Sequence, residues 1–592
     1  MNKRKLFAPL LVCACGLLLT APLLLYGAPT GGDAIFHTMW HANFSAQLLA
    51  GDLYPRWLPD MNGGLGSPVF FFYAPLPYYI TALFAPLLDG GAYGLAHLGA
   101  SFSLALVASG LTAYLWLKET TDEISAVPAA VVYMLAPYHL GVDVYTRVAF
   151  AETWAFVWMP LTLYFVRRLM TTTAGAFPYA LPGLALSYAA LITTHLPTTL
   201  IFSLVPPWYA LRACAPQQRK RALVLTVGGM SLGIGLACVY LLPALTTQEF
   251  VSLGDLLPEF YHRRWLQLTN FNRMELDGRI TLAVLTTAIV IACAAILACR
   301  RSGHGGDDAA GDESHRLCKR ERTFWIVVSL GCLLLMTPAS NFVWRLVKPL
   351  QSIQFPWRFN AVLCVAAAAL VALAARRTLQ RRASRGALNL ALLAVAVALV
   401  VYWVFFTHSI ARRAQPEWRG DAPTLDADFV KRYARMRDAP EYRPATAAST
   451  QAVAFDELMS RICRAGERPA KVCTVAGEGE IAVERWTPGE IELRVATAGG
   501  VAFDVTQFHY PGWAAYLDGR RHPLEPSRPD GLLHLEVPAG EHRIILRLRH
   551  TAAVDAGILI STASVLLLVS WVAARIRDGR RRKRVAVAVV AR

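Results

Sequence analysis

Asp33, His37 and His41 recur four residues apart in the run Gly32 to His41, so on a helix they share one face. A carboxylate beside imidazoles can take a proton from a hydroxyl as a general base. An Asp-His-His row is equally a feasible ligand set for a divalent metal ion, and the same spacing suits an amphipathic surface helix with no chemistry at all. Further along, Asp143, Tyr145, Arg147 and Glu152 crowd into one short segment, where a cation for phosphate would stand beside an acid. Arg147 and Glu152 are five apart, a workable but imperfect helical spacing. Gln354 and Arg358 lie in the run QFPWRF; the forked guanidinium of Arg358 matches phosphate oxygens, or it snorkels to an interface. His195 and the run Glu259 to Arg264 (EFYHRR) complete the polar set. In the run Gly51 to Trp57, followed by Gly63 to Pro68, Gly and Pro impose a defined turn path. There Arg56 either contacts a substrate or, with Trp57, anchors the chain at headgroup level.

The elements that must carry these residues are membrane helices. Of the 592 residues, 55% are hydrophobic and only 17% charged, with a mean hydropathy of +0.38. A soluble domain carries closer to ~25% charge. The apolar residues gather into blocks about as long as a hydrocarbon core is thick, on the order of 20 residues. The net charge of +17 invites a nucleic-acid reading, which the positions exclude. Basic clusters stand at block edges: Lys3-Arg4-Lys5, Arg167-Arg168, Arg219-Lys220-Arg221, Arg300-Arg301, Lys319-Arg320, Arg376-Arg377, Arg381-Arg382 and Arg580 to Arg584. That is the positive-inside pattern, which puts those edges in the cytoplasm.

Twelve spans are expected, near 6–27, 95–117, 125–140, 152–168, 177–193, 196–212, 222–244, 279–299, 323–339, 359–375, 387–406 and 553–575. The first reads as a retained helix rather than a signal peptide, because its apolar run is long and further spans follow. The stretch 69–88, rich in Pro and aromatics, reads as an interfacial or re-entrant helix at the outer surface; counting it as a span would turn Arg167-Arg168 outward. With both termini inside, the longer and chemically richer loops 28–94, 141–151, 245–278 and 340–358 all lie outside, on one face.

Residues 407–552 form an extracytoplasmic insert before the last helix and its basic tail (553–592), β-rich from about 478. Runs such as Ile491-Leu493-Val495 and Val501-Phe503-Val505 alternate, and turn signals such as Pro511-Gly512 and Asp518-Gly519 separate them, as in an antiparallel β-sandwich. Residues 407–470 read as helical or irregular. Most of the 11 cysteines fall in apolar blocks; Cys463 and Cys473 stand in this polar region, where a disulfide forms if it faces an oxidising compartment.

The chain has no Walker A loop, no G-x-G-x-x-G opening a βαβ unit and no HExxH, so nucleotide-driven transport within it is not expected. One basic-flanked span, an outer loop with an early Asp, a Pro-rich surface helix and many further spans resemble the GT-C superfamily of membrane glycosyltransferases. The segments GDAIFH, GDLYPRWLPDMNGGLGSPVFFFYAPLPYY, YTRVAFAE, THLPT and QFPWRF look more closely like the bacterial membrane proteins catalogued as 6-pyruvoyl-tetrahydropterin synthase-related, and YPGWAAYLDG...VPAGEHRI resembles the β-domain of the YfhO-like group. Nothing in the residues supports the pterin chemistry of that name.

The resemblance implies a bacterial inner-membrane enzyme moving a sugar, with inversion, from a polyprenyl phosphate to an extracytoplasmic glycan, lipid or protein acceptor. Asp33 is then the catalytic base or a metal-associated carboxylate with His37 as its neighbour; Glu152 orients Arg147 or a metal, and Arg147 and Arg358 hold the phosphate. His41, Arg56, His195 and Gln354 line the substrate. The family's usual acidic pair is interrupted, because Ala34 follows Asp33, which leaves a divalent metal at Asp33, His37 and His41 open. A lipid-linked-glycan transporter or a non-catalytic envelope assembly factor are the alternatives. Membrane lipids are partners on every reading; nucleic acid is a partner on none.

Overall fold

The computed structural model describes residues 4–29, 33–89, 94–171, 179–252, 260–272, 275–299, 309–379, 438–450, 462, 464–465 and 468–590. Seven helices among them are long and apolar enough to cross a membrane: Leu6–Tyr26, Leu95–Thr120, Glu123–Val144, Pro216–Thr246, Leu276–Cys299, Pro356–Leu379 and Ala552–Arg577. An eighth is reached if Arg316–Leu335 and Pro338–Leu346, bent by 93°, count as one. The described residues therefore hold fewer spans than the expected twelve, for local reasons. The helix Phe150–Thr171 carries Glu152, Arg167 and Arg168, and Ala180–Ile192 has 13 residues. The stretch 196–212 is broken into Leu196–Phe202 and Val205–Arg212, each with proline in its first turn. The span expected at 387–406 lies outside the described residues, as do Glu259 and most of 407–470.

The bundle is organised around two helices. Leu95–Thr120 packs against Arg4–Tyr26, Glu123–Leu135 and Phe150–Thr171. Gly99 lets the first of these approach so closely that an added Cβ would meet the Leu23 carbonyl oxygen. From Ala361 to Ala375 the helix Asn360–Leu379 is all Ala, Val, Leu and Cys and is buried along most of its length, as a helix segment apolar all round must be. It packs against Leu276–Cys299, Glu123–Leu135 and Ala309–Leu335.

The stretch 69–88 is not one continuous helix. It forms two short helices, Val69–Phe72 and Leu76–Ala82, parted where Pro75 and Pro77 interrupt the backbone ladder. Val69 to Phe72, Pro77, Tyr78, Thr81 and Ala82 are buried; Phe70 packs edge-on against Phe44 and Tyr78.

Eleven strands follow: β1 (Arg464–Ala465), β2 (Arg468–Pro469), β3 (Val472–Gly477), β4 (Glu480–Thr487), β5 (Glu490–Thr497), β6 (Val501–Phe508), β7 (Trp513–Leu517), β8 (Arg520–His522), β9 (Glu525–Pro526), β10 (Leu532–Val537) and β11 (Gly540–Leu548). β1 pairs with β2, and two antiparallel sheets, ordered β3-β6-β10-β9 and β4-β5-β11-β7-β8, share one core. Ile491, Leu493, Val495, Phe503, Val505, Leu535, Ile544 and Leu546 fill it, and on the other face of the larger sheet Arg494 pairs with Glu484 and Arg547 with Glu490. Strand alternation produces this division directly. Cys473 is disulfide-bonded; Cys463, its expected partner, lies outside the described residues.

Residues 51–68 join the two parts. Trp57 is no headgroup anchor: it is buried, its Nε1 donates to Gln507 Oε1 at 2.8 Å, and its ring meets Trp513 edge-on. Gln507 Nε2 donates back to the Gly64 carbonyl at 2.6 Å. Gly66 has φ +86°, and an added Cβ would strike both Trp57 and Gln507. Trp57→Ala is expected to cost about 3–5 kcal/mol. Gly66→Ala, which adds strain at positive φ, should lower the thermal midpoint in detergent as well. An unchanged midpoint for both would mean that this loop does not hold the β-domain.

Candidate functional site

The eight-residue helical turn Pro137–Val144 is wound as a π-helix, a form that recurs at functional sites. Immediately after it the chain is strained: Val148 has φ +55°, costly for a β-branched residue. The path is fixed by backbone bonds from Arg147 N to Val142 O at 2.7 Å and from Ala149 N to Asp143 O at 2.8 Å. This turn presents Arg147 to two acids at once. Its Nη1 lies 2.9 Å from Asp143 Oδ1 and 2.9 Å from Glu152 Oε2. Glu152 stands in the first turn of Phe150–Thr171, where the helix dipole favours a carboxylate; its Oε1 accepts from Tyr138 Oη at 2.7 Å.

A second arginine reaches the same acid from the far side. Arg358 Nε lies 3.6 Å from Glu152 Oε2, and its Nη1 donates to the Ile353 carbonyl at 2.7 Å. Gln354, with φ +68°, makes the turn that aims it and touches Arg358 Nη1 at 3.4 Å. Trp357 covers Arg147, ring centre to guanidinium carbon 4.6 Å, an arrangement that favours the cation. Each arginine thus has a strained non-glycine residue nearby, a pattern that clusters at functional sites. Arg358 Nε is buried with no hydrogen-bond partner among the described residues.

Asp33 faces this pair. Its backbone N–H donates to the Arg147 carbonyl at 2.8 Å, which pins the start of the helix Ala34–Leu49 to the arginine loop. Asp33 occupies the N-cap, yet its side chain makes no capping bond and it is exposed. One turn on, His37 is buried with Nδ1 2.7 Å from Tyr78 Oη. Burial pulls its imidazole down to about 4, against the opposing effect of Asp33. His195 sits in the turn that accepts a bond from Leu76 N through the Thr193 carbonyl; its Nδ1 is 2.7 Å from Thr198 Oγ1. Burial takes it down to about 3, with Glu152 acting against that and Arg358 and Arg147 adding to it. Burial pushes the Tyr73 hydroxyl up, with Asp33 and Glu152 adding to this and Arg358 and Arg147 opposing it.

Of the residues singled out from sequence, Asp33, His37, Arg147, Glu152, His195, Gln354 and Arg358 converge. His41 and Arg56 do not. His41 turns to His97 at 3.2 Å and Ser45 at 3.0 Å. Arg56 lies 3.8 Å above the Tyr54 ring and donates to the Val239 carbonyl. The row Asp33, His37 and His41 therefore points in different directions, and among the described residues no three His, Cys, Asp or Glu side chains are grouped to hold a metal ion. Sequence reading missed Tyr73, Tyr78, Tyr138 and Trp357 as parts of the site, and Asp438 and Glu441 beside it. Tyr73 and Tyr78 stood in the Pro-rich stretch 69–88 and Trp357 in the run QFPWRF; Tyr138 and the two acids carried no signal.

The family model described as "6-pyruvoyl-tetrahydropterin synthase related domain; membrane protein" matches residues 70–418. Among curated proteins none matches the chain. Among solved structures the chain is similar to the arabinofuranosyltransferase AftD from Mycobacteria, at 14% identity and a TM-score of 0.45 over 93% of this chain and 40% of that one. It is also similar to an Archaeoglobus fulgidus oligosaccharyltransferase, at 14% identity and a TM-score of 0.40 over 74% of this chain and 61% of that one. ArnT from Cupriavidus metallidurans matches at 14% identity and a TM-score of 0.28, over 62% of this chain and 76% of that one. The chain spans less than two thirds of the length of the first two.

Two outcomes follow from the geometry. Arg147→Ala strands Asp143 and Glu152 in the interior and should cost about 3–5 kcal/mol, read as lost thermal stability in detergent; Arg147→Met with Glu152→Gln should recover part of it. The depressed imidazoles give a pH dependence with a definite sign. An unfolded histidine titrates near ~6.5, so as pH falls from there toward about 4 the unfolded chain binds the extra protons and stability drops. His37→Gln and His195→Gln should flatten that fall; an unchanged slope would show that these imidazoles do not cause it.

Proposed function

The chain belongs to the 6-pyruvoyl-tetrahydropterin synthase related family of membrane proteins, and we propose that it is a GT-C-type membrane glycosyltransferase that moves a sugar from a polyprenyl-phosphate donor to an extracytoplasmic acceptor. The observation that carries this reading is an exposed, uncapped carboxylate at Asp33 facing two buried arginines that share Glu152. Such a site can accept a proton at one end and receive a phosphate at the other.

In the proposed reaction an acceptor hydroxyl attacks the anomeric carbon from the face opposite the phosphate. The new C–O bond forms as the bond to the phosphate oxygen breaks, and the configuration inverts. The hydroxyl proton passes to Asp33, and the electron pair leaves on the phosphate. Arg358, held by charge at 3.6 Å from Glu152 with Nε lacking a hydrogen bond, turns that donor to a phosphate oxygen without breaking a bond it already makes. Arg147 is fixed by Asp143 and Glu152 and stabilises the charge without reorganising. His37 and His195, neutral at pH 7, serve as hydrogen-bonding walls rather than as acids. The donor's lipid tail lies between helices, both termini face the cytoplasm, and the β-domain lies outside at an inner membrane.

Asp33→Asn should leave the fold intact and lower transfer by about 10²–10⁴-fold. Mass spectrometry of envelope glycans and glycolipids at matched expression reads it: one saccharide disappears and its polyprenyl-phosphate donor accumulates. If the variant's profile matches wild type while deletion of the gene changes the envelope, Asp33 is not the base and a transporter or assembly role moves ahead.

A further inference from the structure

The segment 438–447 reaches the site from a part of the chain about three hundred residues beyond Arg147. Asp438 ties it down. Its buried carboxylate accepts from Trp40 Nε1 at 2.8 Å and from its neighbour's backbone, Ala439 N, at 2.8 Å. Its own N–H donates to Asn62 Oδ1 at 2.9 Å. Trp40 lies two turns along from Asp33 on the helix Ala34–Leu49, so the segment runs beside the helix that carries the base. Tyr442 then packs with its ring centre 5.9 Å from Trp40 and 6.1 Å from Tyr73. Tyr442 and Tyr73 are only half-buried. Glu441 is half-buried as well; burial, and after it the nearby Asp438 and Asp33, push its carboxyl above the usual carboxylate range.

The site is therefore divided in charge. Its floor holds Arg147 and Arg358. Its rim holds two acids, Asp33 and Glu441, beside two half-buried aromatic rings, with the buried Asp438 beneath them. A phosphate is drawn to the floor and repelled by the rim. A carbohydrate ring has the opposite fit: its C–H edges lie on an aromatic face, whose π-cloud is electron-rich, and its hydroxyls donate to carboxylates in charge-assisted hydrogen bonds.

Resting on the transferase reading, we propose that this rim is the acceptor subsite, and that it takes a saccharide ring bearing no anionic group, stacked on Tyr442 and Tyr73 and held through hydroxyls by Glu441. The segment before the β-domain thus selects the acceptor, while the membrane helices bind the donor.

The test needs neither donor nor turnover. Purified full-length protein is examined by saturation-transfer NMR with methyl glucoside, methyl mannoside and methyl glucuronide as probes. The two neutral glycosides should bind and the glucuronide should bind about tenfold more weakly, since it meets like charge at the rim. Tyr442→Leu keeps an apolar side chain in place and should abolish the neutral signal; Tyr442→Trp should keep it. Glu441→Gln should raise glucuronide binding. Absence of binding by every glycoside, equal binding of the glucuronide, or an unchanged Tyr442→Leu variant would each overturn the assignment. Failure of the transferase reading looks different: neutral glycosides bind at Tyr442 while Asp33→Asn leaves the envelope unaltered.

Discussion

A guanidinium removed from water costs several kcal/mol unless acids and hydrogen bonds replace the lost hydration, and one end of this bundle is arranged around that requirement at Arg147. Asp143 and Glu152 supply the charge, Tyr138 satisfies the second oxygen of Glu152, and Trp357 closes the face of the cation. To bring Asp143 and Arg147 together the backbone widens into a π-helix and then takes a positive φ at Val148. The strain persists because the surroundings over-determine it. The carbonyl of the same arginine receives Asp33 N–H, so the position of the exposed acid follows from the burial of the cation.

Rigidity outside the bundle has a different origin. The loop 51–68 is folded against the β-domain through Trp57, Gly66 and Gln507, and Phe508 N donates to the Leu65 carbonyl. Tyr510 lies against Phe71, and its hydroxyl reaches Thr247. Apolar burial drives this junction and hydrogen bonds set its register. Because Asn62 of the same loop also holds Asp438, the rim acids take their positions from the loop as well as from the helix Ala34–Leu49.

Much of this was legible before any coordinates. Long apolar blocks are forced into helices by the cost of unpaired backbone groups in hydrocarbon, and alternating strands announce a two-sided sheet. Arg147, Glu152 and Arg358 stood out because charged groups at the ends of apolar blocks demand partners. What stayed hidden depends on contacts between distant segments. His41 shares a helical face with His37, but His97 on another helix decides its role. Trp57 has the composition of an interfacial anchor, and only the β-domain makes it a core residue. The described residues hold fewer long apolar helices than expected because hydropathy ignores where proline divides a block, as at 196–212. Glu441 was invisible because nothing local distinguishes a glutamate that will fold back beside Asp33.

A second buried ion pair shows why the first is read as a site. At the other end of the bundle Arg167 Nη1 and Tyr209 Oη both converge on Glu321 Oε1, at 2.9 and 2.8 Å, and Trp116 and Trp325 pack against each other there. That arrangement joins the helix Phe150–Thr171 to Ala309–Leu335 and meets the same desolvation cost with one arginine and one acid. None of the positive-φ residues of the described chain lies in it. At Arg147 the same chemistry is accompanied by a second arginine held beyond hydrogen-bond distance, two strained turns and a carboxylate left open to solvent. A structural ion pair requires none of these, and the strained turns cost stability. Their coincidence around Glu152 is accounted for if the charges await an anion and the open acid awaits a proton.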